Sequence, residues 1–263
     1  VNDYSLAHLC PDCGGACKEC GPDVGYKVKT NDQGYEFLIP CSCQEKKEKI
    51  QRYNRSRIPA RYSHCVLNNY EPRGGNQRAI KQQIYTHLNE YYPKRKGLVV
   101  SGKVGTGKTH LIVSILRHLS IQYGVNTAFI EFTHLLSDIK ESYSTGRFES
   151  DVLAPLTQVP VLLVDELGKG RASDWQLSVL DEVISRRYNA QLTTYFTTNL
   201  PLTVDLSING SKGGEMKKRS LRKSLEAITL EERVGERIFS RLHEMCHFLE
   251  VEGPDSRRNP RGN

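Results

Sequence analysis

The stretch Gly102-Lys103-Val104-Gly105-Thr106-Gly107-Lys108-Thr109 (GKVGTGKT) matches G-x-x-x-x-G-K-T in full. It follows the apolar run GLVVSG at 97–102 and opens an amphipathic helical pattern over 108–122. A strand running through a glycine-rich turn into a helix is the context that makes such a match a phosphate-binding P-loop. Glycines 102, 105 and 107 allow backbone amides to turn inward where a side chain would block approach. Those amides sit at a helix N-terminus, which favours anions. Lys108 supplies a point charge to the β- and γ-phosphates, the Thr109 hydroxyl ligates Mg²⁺, and His110 completes the expected contact set, Gly102 to His110.

Downstream, strand-like and helix-like segments alternate. TAFIEF, VPVLLVD and TTYFTTN read as strands, and 133–145, 151–158, 174–190 and 231–245 as helices, with CHFLEVEG as a last strand. Continuous apolar strands between helices imply a parallel sheet covered on both faces. VPVLLVDELG ends a strand in Asp165-Glu166, at the carboxyl end where α/β sheets place their ligands. Asp165 is expected to support Mg²⁺ and Glu166 to polarise an attacking water. Asn199, ending TTYFTTN, is the candidate to hold that water or sense the γ-phosphate. In GERIFSRL, Arg237 and Arg241 share a helix face. On spacing alone, a surface helix salt-bridged to Glu232, Glu236 and Glu244 is the better reading of those two arginines.

Six of the eight cysteines fall in the first 43 residues, as CPDCGGACKEC at 10–20 and CSC at 41–43. Close pairs of this kind point to a metal site rather than a disulfide framework. GYKVKTNDQGYEFLIP between them reads as a hairpin, so residues 1–43 are expected to form a zinc-ribbon-like module. The favoured tetrahedral set is Cys10, Cys13, Cys41 and Cys43, which ties the two ends of the module together; Cys17 and Cys20 are the alternative ligands. Residues 44–76 form a basic helical segment and linker, 203–230 a basic flexible insertion, and 259–263 a disordered tail. Lys and Arg total 37 against 30 Asp and Glu, a net charge of +7 that suits a polyanionic partner without demanding one. No apolar run approaches the ~20 residues of a membrane span and no leader-like segment opens the chain, so a cytoplasmic protein with no membrane partner is expected.

The order P-loop, Asp-Glu strand, Asn-tipped strand and late arginine helix resembles an AAA+ ATPase. More narrowly, IPARY at 58–62, GKVGTGKT at 102–109, LVDELG at 163–168, ISRRYN at 184–189, TTNLP at 197–201 and GERIFSRLHEMC at 235–246 resemble the DnaC/DnaI replicative helicase loaders and the related IstB transposition helpers. The resemblance implies a three-layer AAA+ domain over 77–258, and ATP, Mg²⁺ and Zn²⁺ as cofactors. It implies a homo-oligomer with ATP at subunit junctions, single-stranded DNA as ligand and a replicative DNA helicase as client. It also assigns the arginine acting on a neighbour's nucleotide to Arg241, with Arg237 second. Residues 133–158 would be the insertion that meets DNA, with Lys140 and Arg147 as phosphate contacts. A transposition helper or a phage or plasmid replication accessory is the alternative reading.

Overall fold

The computed structural model describes residues 17, 19–21, 25–170, 173–202 and 228–257. Cys10 and Cys13, nearly all of the expected insertion at 203–230 and the tail at 259–263 lie outside them.

Five strands form one parallel sheet: β3 (Gly97–Gly102), β4 (Thr127–Glu131), β5 (Val161–Asp165), β6 (Thr193–Thr197) and β7 (Cys246–Val251), in the order β4-β5-β6-β3-β7. Side chains of a strand alternate between faces, and the core divides accordingly. Leu98, Val100, Val161, Leu163 and Tyr195 join one cluster with α1 (Ser42–Arg55), α2 (Gln77–Asn89) and α3 (Lys108–Gln122). Val99, Leu162, Val164 and Phe196 join the other, with α4 (Phe132–Ser144), α5 (Glu149–Gln158), α6 (Asp174–Asn189), α7 (Leu230–Val234) and α8 (Glu236–Met245). The apolar runs are continuous because both faces are dry. This three-layer arrangement agrees with the AAA+ expectation. The chain leaves β3 for the distant edge strand β4 and returns through β5 and β6, so a crevice opens at the carboxyl ends beside β3.

The single helix expected over 231–245 is two. Thr229 caps α7 by accepting from Glu232 N at 3.2 Å, and Gly235, at φ +85°, closes it by donating to the Glu231 carbonyl at 2.8 Å. Only glycine enters that conformation without strain, so the chain turns there before α8 begins.

In front of the sheet, β1 (Tyr26–Thr30) and β2 (Glu36–Pro40) form an antiparallel hairpin with Tyr26 opposite Pro40. The helix expected at 44–57 starts earlier, at Ser42, directly after the hairpin. It buries Tyr53 against α3, and the chain then runs along the sheet edge: Phe129 N donates to Ser56 O at 2.8 Å, and the Ser56 and Thr127 hydroxyls bond at 2.9 Å. Two short 3-10 turns, Ala60–Tyr62 and Leu67–Asn69, carry it over the P-loop to α2.

Candidate nucleotide and metal sites

The P-loop joins β3 to α3 as the sequence indicates. Gly107, the residue before α3, has φ +89°, and a Cβ there would meet Tyr70 Cε2 at 2.5 Å. Gly105 has φ +81° and would drive a Cβ into the Asp255 carboxylate. Both positions therefore require glycine twice over, for backbone conformation and for space. Lys108 Nζ donates to the carbonyls of Gly102 at 2.7 Å and Lys103 at 2.8 Å. Burial lowers its pKa to about 8, opposed chiefly by the charge of Asp165.

Asp165 is 2% exposed at the end of β5. It accepts from Thr109 Oγ1 at 3.0 Å and from the Thr197 hydroxyl, while burial raises its pKa. A buried carboxylate beside the P-loop threonine fits a divalent cation, which would restore the charge that burial disfavours. Glu166 follows in the left-handed region at φ +57°, its N–H donating to Thr197 Oγ1 at 3.0 Å. Such a conformation is uncommon for glutamate and turns its side chain out of the strand. Its carboxylate pairs with Lys169, which also reaches Glu131 at 3.4 Å. Asn199 lies two residues beyond β6 and is exposed.

A cavity of about 870 Å³ is lined by Val104 to His110, Glu166, Lys169, Thr197 and Asn199, with Asp165 behind Thr109. Gly102 and Lys103 contribute the carbonyls that hold Lys108 rather than cavity wall. The remaining wall comes from residues to which sequence reasoning gave no role. Tyr70 donates to Thr106 O at 3.0 Å and stands edge-on to His110, whose Nε2 lies 3.0 Å from both Val66 O and Asn69 Oδ1. Arg61, Tyr62, His64, Cys65 and Arg73 line it from the same linker, and Ser256 and Arg257 from the segment after β7. Ser256 Oγ donates to Gly105 O at 2.8 Å, fastening that segment to the P-loop. The quoted IPARY stretch was the one available signal for the linker's part.

Arg241 and Arg237 are not among the lining residues of this cavity. Arg241 donates to Asp181 Oδ1 and Ser185 Oγ, both at 2.6 Å, and Arg237 reaches Asp181 at 3.4 Å. The partner of the pair is thus a carboxylate on α6, not the glutamates expected from sequence. On the α4–α5 pair, Lys140 sits 5.4 Å over the Trp175 ring and Arg147 Nε donates to Thr145 Oγ1 at 3.3 Å.

Among the described residues, four thiols come within 4.8 Å of one another: Cys17, Cys20, Cys41 and Cys43. This is the expected alternative pair joined to CSC; Cys10 and Cys13 of the favoured set lie outside the described residues. Hairpin register brings the four together: Cys41 N donates to Gly25 O at 2.8 Å, so CSC lies beside the residues just before β1. A tight turn closed by Gly21 N to Cys17 O at 2.8 Å presents Cys17 and Cys20 there. The Cys17–Cys41 and Cys20–Cys43 sulfurs are 3.6 and 3.5 Å apart. That is too long for a disulfide and near the ~3.8 Å edge of a tetrahedron with ~2.3 Å metal–sulfur bonds. The Glu19 amide lowers the Cys17 pKa to about 6, whereas burial pushes Cys43 up to about 12. The donor set fits Zn²⁺.

Among the described residues no helix is long and apolar enough to cross a membrane. A family model described as IstB-like ATP binding protein matches residues 36–208. The chain is 28% identical over 160 residues to the replicative helicase loader DnaC of Buchnera aphidicola subsp. Acyrthosiphon pisum, covering 60% of this chain and 65% of that protein. Its fold resembles a crystal structure of the DnaC helicase loader, with TM-score 0.58 and 28% identity over 73% of this chain and 99% of that one. It also resembles the replication initiator DnaA bound to AMPPCP and single-stranded DNA, with TM-score 0.53 and 16% identity over 73% of this chain and 50% of that one, a likeness of fold alone. With the family model spanning well over half its length and the P-loop geometry in place, the chain belongs to the IstB-like ATP binding protein family.

Proposed function

We propose that this protein is an ATP-hydrolysing helicase loader in DNA replication, which binds single-stranded DNA and delivers a replicative hexameric helicase. The observation that carries the reading is the single cavity joining Lys108, Thr109, Glu166 and Asn199, with Asp165 buried behind Thr109. Inward-facing P-loop amides and Lys108 bind the phosphates, and Lys108 exchanges its two backbone carbonyls for phosphate oxygens. Thr109 and Asp165 would hold Mg²⁺, which would supply neutralisation of the negative charge of phosphoryl transfer. Glu166 leaves Lys169 to orient and polarise the attacking water, and Asn199 fixes that water. Arg241, released from Asp181, reaches the nucleotide of a neighbouring subunit, with Arg237 as its second. The DnaC names of the relatives support the helicase as client.

Organised this way, residues 1–43 are a zinc-ribbon-like docking module holding Zn²⁺ at Cys17, Cys20, Cys41 and Cys43. Residues 44–76 connect it to the motor at 77–258. Co-purification of the tagged chain from its native lysate tests the client: a hexameric replicative helicase is expected. Retention of a transposase and no helicase would replace the reading with that of a transposition helper.

A further inference from the structure

The linker between α1 and α2 does more in this fold than connect. Ile58 is fully buried, and Phe129 N and the Thr127 hydroxyl anchor Ser56, so the turn Ala60–Tyr62 is fixed at the edge of the nucleotide cavity. There Arg61 and Tyr62 line the same wall as Thr109, Glu166 and Lys169. The Tyr62 ring packs on Phe129 with centroids 6.2 Å apart. Its hydroxyl receives a hydrogen bond from the Arg61 guanidinium and also interacts with Thr109. Thr109 in turn donates to Asp165, so the guanidinium stands one tyrosine hydroxyl away from the expected Mg²⁺ ligands. Arg61 is exposed, and the acids whose charges it feels most are Asp165 and Glu131. Glu131 is already engaged by Thr133 and Lys169, and Asp165 by two threonine hydroxyls. The guanidinium therefore has no carboxylate hydrogen-bonded to it among the described residues, and its fork is available to an incoming anion.

We propose that Arg61 is a phosphate-binding residue acting within its own subunit, oriented by the Tyr62 hydroxyl toward the γ-phosphate of ATP. This rests on the ATP reading above and adds a contact made with ATP but not with ADP. The linker would thereby distinguish the two nucleotides.

The test is equilibrium binding of Mg·ATP and Mg·ADP to the full chain and to its Arg61→Ala and Arg61→Lys variants, with nucleotide-free melting as a check on folding. Losing a charge-assisted bidentate contact is expected to weaken ATP binding by about tenfold or more and ADP binding by less than about twofold. Arg61→Lys, which keeps charge without the fork, should recover part of the ATP loss. Tyr62→Phe should show a smaller loss, again confined to ATP. Equal losses for both nucleotides, or none, would overturn the assignment while leaving ATP binding intact. A wild-type chain that binds neither nucleotide would instead sink the ATP reading itself, and this inference with it.

Discussion

Raising the pH should weaken ATP binding through Lys108 alone. Burial brings this ammonium from 10.5 to about 8 in the open site. Phosphate oxygens favour the charged form, so its pKa in the complex lies higher than in the free protein. The sign follows: affinity is full below pH 8 and is lost as pH rises through 8 toward the complex's value. With a free-state pKa near 8, about nine-tenths of the lysine is charged at pH 7 and about one-tenth at pH 9, so affinity should fall about tenfold across that window, roughly 1.4 kcal/mol. Three other groups lining the cavity are shifted away from that window. His110 is held below its usual 6.5, while Cys65 is pushed up to about 11 and Tyr70 to about 12. Titration calorimetry at pH 7, 8 and 9 measures the slope, and repeating pH 8 in buffers of different ionisation enthalpy should register uptake of about half a proton. Lys108→Arg, whose guanidinium stays charged, should flatten the profile. A wild-type affinity constant from pH 7 to 9, or the same slope in Lys108→Arg, would refute the argument.

Three further outcomes are expected. Cys17→Ser or Cys20→Ser should lose stoichiometric zinc by metal analysis, whereas Cys65→Ser, outside the cluster, should retain it; zinc surviving in both front variants would remove Cys17 and Cys20 and point to Cys10 and Cys13. Glu166→Gln should bind Mg·ATP with near wild-type affinity yet hydrolyse it at least about a hundredfold more slowly, as loss of a general base implies; wild-type turnover would remove Glu166 from the chemistry. Arg241→Ala should keep ATP binding and lose the hydrolysis that rises with protein concentration, and an unchanged concentration dependence would contradict its action on a neighbour.

What the sequence discloses and what it hides follow from how each feature is encoded. The bounds of α3, 108–122, are legible because Gly107 marks the entry and the apolar spacing runs to Gln122. The inner strands β3 and β5 are legible because each is a continuous buried apolar run. The break at Gly235 was missed since one glycine inside a helical pattern is compatible with a continuous helix. The wall made by Arg61, Tyr62, Tyr70 and Arg257 has no local signature: these residues reach the P-loop from opposite ends of the domain, and only tertiary packing joins them. The approach of Cys17 and Cys20 to CSC was hidden for a related reason. Choosing between two CxxC pairs required knowing that β1 and β2 pair Tyr26 with Pro40, which fixes what lies beside CSC. Arg187 is a third such case. It is fully buried, donating to Thr194 Oγ1 and to the carbonyls of Leu156, Val159 and Thr193, so the ISRRYN stretch contains a structural clamp that sequence alone presents as surface charge.

Helicase loading itself tests the account most directly. Purified chain, the replicative helicase of the same organism, circular single-stranded DNA and Mg·ATP are combined, and helicase retained on the DNA is measured after gel filtration. The account predicts that retention requires the chain and is lost with Lys108→Ala. Helicase that loads equally well without the chain, or equally well with Lys108→Ala, would contradict it.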